Sequence, residues 1–378
     1  MNVTWLKDAV GYDEYVISRP DLYNILFNSI PRERILLGKR VLSFSQNDTS
    51  VLVQCSDNSS YHGDILVGAD GAYSAVRQQL YNALKLDKKL PASDDVSLPY
   101  SCVCLVGQTE VLDPEEFPQM KSDIAQNYSV LGASTMCSAN TLCWVVIKFL
   151  DKESSKQNDS FRCSEWGPEA AEAMAKEVRH FKVPGGKDAK VLTLGDYIDK
   201  TPKHLISKVM LEEIVFDTWF SGRTVLMGDA CHKMNPSGGS GAITAIHDAV
   251  TLANWISTLR SGTVNGIEKV FKEYRDERHP VAKKAYEASQ MFHRTFGNSF
   301  VSVVVRGLMK RLPHWLWRRI ILKMFSAKLQ ASFLPLVEDN ASVRSSYQAS
   351  LQKTLPILKK FQEESAIQGT LSSVPIAV

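Results

Sequence analysis

Residues 222–241 read Gly222-Arg-Thr-Val-Leu-Met-Gly-Asp-Ala-Cys-His-Lys-Met-Asn-Pro-Ser-Gly-Gly-Ser-Gly241. Thr224 to Gly228 is an apolar run of strand length, and Gly228-Asp229 ends it. A loop holding Pro236, Gly238 and Gly239 follows, and a helix opens at Gly241-Ala242. Each residue type has a physical use. Gly228 and Gly239 let backbone come close to a ligand, and Asp229 can accept hydrogen bonds from sugar hydroxyls. The helix start offers unpaired N–H groups and a positive dipole end to an anion. A ligand combining a polyol with negative charge suits this arrangement. The competing reading is an ordinary strand–loop–helix turn that happens to carry an Asp, and the length and order of the stretch weigh against it.

Upstream, Asp64-Ile-Leu-Val-Gly-Ala-Asp-Gly71 is apolar through its strand, as a strand covered on both faces would be. A helix over about Ser74–Leu84 follows it. Arg34–Phe44, Val51–Cys55 and Tyr61–Val67 read as strands joined by turns at Asn47-Asp48 and Asp57-Asn58. Before them, Leu22, Ile25, Leu26 and Ile30 have helical spacing, with Ser18 as cap and Pro20 in the first turn. The texture turns polar at Leu86–Pro99. Beyond it, Leu98–Val106, Tyr128–Ala133 and Leu142–Leu150 read as longer strands with no helix between the first two, which predicts a separate antiparallel sheet. A helix over Pro168–Phe181, a further helix and the strand Ile214–Phe220 lead back to the opening stretch. Two long helices, about Gly241–Arg260 and Val264–Phe296, come after it.

The length of 378 residues allows two folded units. A net charge of +3 with 22% charged residues excludes a polyanion-binding chain, so nucleic acid is not an expected partner. The seven cysteines are scattered in apolar runs with no Cys-x-x-Cys pair, which predicts reduced thiols in an intracellular protein. No secretion signal is legible near Met1, and no uninterrupted apolar run reaches the roughly 18 residues of a spanning helix.

Gly-Asp-Ala-x-His-x-x-x-Pro-x-x-Gly-x-Gly, followed on a helix by Asp248-Ala249, resembles the second FAD fingerprint of the class A flavoprotein monooxygenases. Gly68-Ala-Asp-Gly-Ala-Tyr-Ser-Ala-Val-Arg77 is similar to that family's other internal fingerprint. Ser18-Arg-Pro-Asp-Leu-Tyr23 resembles the helix start at which the family sets an Arg against FAD. The three occur in family order. The resemblance implies that NAD(P)H reduces FAD and that one atom of O2 passes to an electron-rich ring or double bond. It assigns Asp229 to the ribityl or diphosphate region. Pro236, Gly238, Gly239 and Gly241 fall at the isoalloxazine, and the helix from Ala242 at the negative charge of the reduced flavin. Arg19 would contact the cofactor, and Asp70 and Arg77 would brace the bound nucleotides.

The sequence departs from the family twice. No Gly-x-Gly-x-x-Gly occurs in it, so the expected fold is α/β with an incomplete FAD-binding Rossmann-like domain, about 90 residues of the family's sheet being absent. Ile243-Thr244 stands where the family usually has an Asn. The expected organisation is an FAD-binding domain in two parts, 1–90 and 219–298. A substrate-binding sheet domain over 91–218 is inserted between them, and a helical C-terminal extension covers 299–378.

Three further features concern the site. Tyr128 opens a strand of the middle sheet; the family's sheet roofs the substrate pocket, and a Tyr there often bonds substrate, while a Tyr packed at a sheet edge is an equal alternative. His232 is a proton relay beside the flavin or, by preference, a loop His capping a turn; Asp248 reads as structural. The segment 300–325 mixes basic residues with Trp315, Trp317, Ile320 and Phe325, which suits either a membrane surface or, slightly better, packing on its own domain. Within the family the resemblance is greatest to fungal monooxygenases that epoxidise prenyl chains in indole-diterpene and meroterpenoid pathways. The expected partners are therefore a lipophilic prenylated substrate and O2. A phenolic-ring hydroxylase and a remnant that binds no flavin are the alternatives.

Overall fold

The computed structural model describes residues 5–12, 17–98, 100–113, 127–130, 133–138, 141–150, 167–183, 192–236, 239–296, 307 and 311–372. In chain order the elements begin with α1 (Trp5–Val10), α2 (Arg19–Asn28), β1 (Val41–Gln46), β2 (Val51–Cys55), β3 (Ser60–Gly63), β4 (Leu66–Gly68) and α3 (Ala75–Leu86). There follow β5 (Tyr100–Gln108), β6 (Asn127–Val130), β7 (Ala133–Ser138), β8 (Thr141–Phe149), α4 (Pro168–Val178), β9 (Lys182–Val183), β10 (Leu192–Thr193), α5 (Leu194–Asp199) and β11 (Ser207–Glu212). The chain continues through β12 (Ile214–Val215), β13 (Phe220–Ser221), β14 (Thr224–Leu226), β15 (His232–Lys233), α6 (Gly241–Ile256), α7 (Val264–Phe296), α8 (His314–Met324) and α9 (Ala349–Ser372). These divide into two compact units. The first holds Met1–Tyr12, Lys39–Ser97 and Ile214–Val378, and the second Asp13–Gly38 with Leu98–Glu213.

The first unit is organised on β14. Its three residues are buried, with Val225 and Leu226 wholly so, each contributing roughly 1.5–3 kcal/mol of apolar burial. β14 pairs parallel with β4, Leu226 opposite Gly68, and antiparallel with β13, so β4 lies at the edge of this three-stranded sheet. A Cβ on Gly68 would stand 2.8 Å from Leu226 Cδ2 and 2.9 Å from Val76 Cγ1. Glycine there is what lets α3 settle on the sheet.

Arg223, immediately before β14, is buried and donates to the backbone carbonyls of Asn47, Asp48, Asp64 and Gly262. One guanidinium thus ties the β1–β2 turn and the β3–β4 junction to the segment before α7. This clasp also explains a departure from the sequence pattern. The single strand expected over Tyr61–Val67 is split at Asp64 because β3 pairs with β2, whereas β4 pairs with β14. Nor is β4 covered on both faces, since Val67 is 37% exposed. The strand expected from Arg34 begins only at Val41, after a 3₁₀ turn at Arg32–Arg34 and Gly38 in the left-handed region at φ +72°.

Helices α6 and α7 pack on each other and α9 docks on both. The α9 junction is polar: Asn254 bonds the Gln330 carbonyl and the Ser332 amide, and Glu277 accepts from the Ser350 N–H. In α8 the Arg318 guanidinium lies 4.9 Å from the centre of the Trp5 ring of α1, so this end of the basic-aromatic segment packs on its own unit. Trp315 remains 65% exposed. Residues 300–306 and 308–310 of that segment lie outside the described residues. Among the described residues no helix is long and apolar enough to cross a membrane.

The second unit is built on an antiparallel sheet, as the strand spacing predicts, but of five strands in the order β11-β5-β8-β7-β6 where three are expected, the run Tyr128–Ala133 being divided between β6 and β7. One face carries α4 and α5 over a core of Val103, Leu105, Leu142, Trp144, Met174 and Tyr197. Trp144 lies over Gly107, where a Cβ would stand 2.3 Å from the ring, and its indole N–H donates to Thr201 Oγ1 at 3.0 Å. Helix α2 also belongs to this unit. Ser18 caps it by accepting from the Asp21 N–H at 3.2 Å, and none of its residues is buried. The cysteines at 55, 102, 104, 143 and 231 are free thiols, all but Cys143 buried.

Candidate functional site

The site of interest lies in the first unit, where β14 runs out into the loop 227–240 and α6 begins. Gly228–Ala230 form a 3₁₀ turn that starts from Gly228 at φ +57°. Two constraints fall on this glycine, because a Cβ there would also stand 3.1 Å from the Cβ of Ala245 on α6. The close approach expected of Gly228 is therefore to the protein's own helix. Gly239 and Gly241 differ: a Cβ on either would meet nothing within 4 Å. Gly239 lies at φ +61°, and Asp229, Pro236, Gly239 and Ala242 are all exposed. Gly238 lies outside the described residues.

Ser240 precedes α6 without a side-chain cap, and no acidic residue sits in the first turn. The positive end of a 16-residue helix therefore has no carboxylate of its own in that turn. An open loop with glycines facing free space and an uncapped helix start fits a ligand carrying an anionic group and a flat ring.

Beneath the loop lies a cluster of buried charge. Asp248, on the second turn of α6, is fully buried. Its Oδ2 accepts from the Gly228 N–H at 3.1 Å and faces His232 Nε2 at 2.6 Å, and its Oδ1 accepts from Arg278 Nε at 2.7 Å. Arg278 also donates to the Thr244 carbonyl at 3.2 Å. Burial alone pulls the Asp248 carboxyl upward. The hydrogen bond from His232 and the charge of Arg278 outweigh it and hold the group below the ordinary carboxylate value. Nearby, burial pushes the Cys231 thiol and the Tyr274 hydroxyl well up, so both stay protonated. Tyr274 donates to the Leu226 carbonyl at 3.3 Å, at the end of β14.

His232 itself is a strand residue. It pairs with Val215 in β15 and is fully buried, which replaces the expected loop histidine capping a turn.

A family model described as an FAD binding domain matches residues 192–289, which include the whole loop. The FAD-dependent monooxygenase ptmM of Penicillium ochrochloron is 30% identical over 299 residues, 76% of this chain and 67% of that protein. The chain belongs to the FAD-dependent monooxygenases. Its relatives in this family include penM of Penicillium crustosum, 30% identical over 76% of this chain, and paxM of Penicillium paxilli, 29% identical over the same share. The chain spans 59% and 60% of their lengths. Among solved structures, Klebsiella pneumoniae HpxO complexed with FAD and uric acid superposes with a TM-score of 0.58 at 19% identity, over 82% of this chain and 71% of that one. A salicylate hydroxylase substrate complex gives 0.54 at 21% identity, over 79% and 72%. These likenesses establish a shared mixed α/β fold.

The family's two internal fingerprints meet in this unit. Asp70 accepts from Ser74 Oγ at 2.5 Å and from the Val76 N–H at 3.1 Å, and so braces the start of α3. Arg77, buried on α3, donates to the Ala230 carbonyl at 2.9 Å and to the Ala72 carbonyl at 3.0 Å, and its guanidinium lies 4.8 Å from the centre of the Phe216 ring. The Asp-Gly segment is thereby tied to the residue after Asp229. Arg19 and Tyr128 belong to the second unit. Arg19 is the first residue of α2, and the Tyr128 backbone pairs with Thr135 in β6, its side chain lying outside the described atoms. Sequence reading missed Arg278 and Arg223. Both sit among charged or turn residues whose pattern resembles a solvated face, so only tertiary packing reveals them.

Proposed function

We propose that this chain carries the flavin loop of a monooxygenase that uses NAD(P)H and O2 to epoxidise a prenyl double bond in a lipophilic terpenoid or meroterpenoid intermediate. The observation that carries the proposal is the pairing of an open, glycine-lined loop with an uncapped start of α6, held from below by Asp248. Asp229 would hold the ribityl or diphosphate portion of FAD. Pro236, Gly238, Gly239 and Gly241 would lie along its ring, and the N–H groups at Ala242 would face the negative charge it gains on reduction. Arg19 and Tyr128, from the second unit, are proposed to meet cofactor and substrate respectively. Bound FAD would supply the activation of O2; the residues named here would bind and orient it.

The three-stranded sheet is read as part of a larger dinucleotide-binding sheet. The edge position of β4, the exposure of Val67 and the lack of a Gly-x-Gly-x-x-Gly support this. The Penicillium relatives named above, each an FAD-dependent monooxygenase, support the monooxygenase reaction class; the terpenoid substrate rests on the sequence resemblance alone.

Two measurements test the reading. Titrating the full chain with FAD should give a bound flavin with a perturbed visible spectrum, and no binding would favour the flavin-free alternative. Product analysis by mass and NMR, with a prenylated and a phenolic substrate side by side, should place oxygen on the prenyl chain. Oxygen on the ring would support hydroxylation instead.

A further inference from the structure

Asp248 sits where three elements converge beneath the loop. The Gly228 N–H comes from the strand end, His232 from β15 and Arg278 from α7, and all three point at one buried carboxylate. A carboxylate can only accept, so the hydrogen between it and His232 belongs to Nε2. His232 Nδ1, also buried, has no hydrogen-bond partner among the described residues. A Cβ at Gly228 would stand 3.1 Å from the Ala245 Cβ, and the backbone there is left-handed, so glycine is what lets the turn lie this close to α6. The bond to Asp248 therefore fixes the height at which the 3₁₀ turn leaves β14.

The same carboxylate balances a buried cation. Arg278 is 3% exposed, and besides Asp248 it holds the Thr244 carbonyl in the first turn of α6. Its positive charge thus lies beneath the helix end whose dipole points toward the loop. In such a low-dielectric place, an unbalanced charge is felt over several ångströms.

We infer that Asp248 is a positioning residue for the flavin loop, and that the Asp248–Arg278 pair sets how much positive field the start of α6 presents to the cofactor. This rests on the FAD reading above and adds to it a specific determinant of cofactor affinity and redox poise. The pair makes two separable contributions: a hydrogen bond that holds Gly228, and a charge balance.

The test compares the wild-type full chain with Asp248→Asn, Arg278→Met and the double variant, each titrated with FAD and then reduced beside a reporter dye. Asp248→Asn should weaken FAD binding about tenfold, the loss of one charged hydrogen bond. It should also raise the flavin potential, because Arg278 is left unbalanced. Arg278→Met should lower the potential, because Asp248 is left unbalanced. The double variant should return the potential toward wild type while FAD stays weakly bound. Opposite shifts in the two single variants are not produced by simple loosening of the fold. If Asp248→Asn is insoluble, the fall in Arg278→Met reads the same coupling. Shifts of the same sign, or wild-type affinity and potential throughout, overturn the inference while leaving flavin binding intact. A wild-type chain that takes up no FAD overturns the functional reading itself.

Discussion

The two units of this chain solve the problem of a fixed interior in different ways. The second packs Trp144, Leu105, Leu142 and Met174 between a sheet and two helices, with the Trp144 indole bonded to Thr201 among its polar contacts. The first buries Arg223 at the start of β14, and Arg77, Asp248 and Arg278 around its end and the loop beyond it. Apolar packing is tolerant, since many side chains of the right volume fill the same space. A buried hydrogen-bonded charge is not, because each donor direction must meet its acceptor. The unit that carries the loop 227–240 is thus built where a small error of position costs most, and the sheet unit where it costs less.

The largest expected effect comes from breaking that difference at its centre. Asp248→Ala removes the acceptor of Gly228, His232 and Arg278 together and leaves a guanidinium buried without its counter-charge. Disruption of such a pair costs about 3–5 kcal/mol. Urea unfolding followed by circular dichroism should show a lowered midpoint of that size. A change under about 1 kcal/mol would mean the network contributes little to stability.

Gly107→Ala probes the second unit in its own terms. The added methyl would meet the Trp144 ring, whose indole is fixed by Thr201, and over-packing of a filled core costs roughly 1–3 kcal/mol. The same urea experiment, with Trp144→Phe beside it, measures whether a smaller ring relieves the clash. The comparison predicts partial rescue here. No conservative change should rescue Asp248→Ala.

How much of this was legible beforehand follows the same division. The antiparallel sheet and the helices α3 and α7 are legible in the sequence, through strand spacing and through runs of helical pattern, all of which are local signals. The loop after β14 is legible as a motif because Gly228, Asp229, Pro236, Gly239 and Gly241 lie within one short stretch. Asp64 was misjudged as the interior of one strand, since its carbonyl is claimed by Arg223, 159 residues away in sequence. His232 reads locally as a loop residue and Arg278 gives no local signal for the same reason: 46 residues separate two side chains that share one carboxylate. Periodicity reports which face of an element is covered, but not which distant charge covers it.

A smaller effect should appear on acidification. The folded Asp248 carboxyl titrates below its unfolded value, so the stability it contributes is present above about pH 4 and is lost as pH falls through the folded value. In the second unit, Asp199 is likewise lowered by its bond from Arg179, but that pair is solvent-exposed and weakly coupled to stability. Hydrogen exchange below pH 4 should therefore show amides of β14 and α6 losing protection before those of β5 and β8. The reverse order would remove Asp248 from the acid response.

The smallest effect is the loss of a cap. Ser18 Oγ accepts the Asp21 N–H at the start of α2, and replacing such a residue with Ala costs about 1 kcal/mol. Helix α2 buries none of its residues, so little packing holds it once the cap is gone. Ser18→Ala should then reduce amide protection across Arg19–Asn28 while leaving the unfolding midpoint of the chain where it was. That outcome separates local fraying from the cooperative loss expected at Asp248. It also bears on Arg19, whose position at the first turn makes it the residue most displaced by fraying. If FAD contacts Arg19, the variant should bind the cofactor more weakly with unchanged global stability, and saturating FAD should restore the lost protection. Affinity equal to wild type, with α2 frayed, would place Arg19 outside the cofactor site.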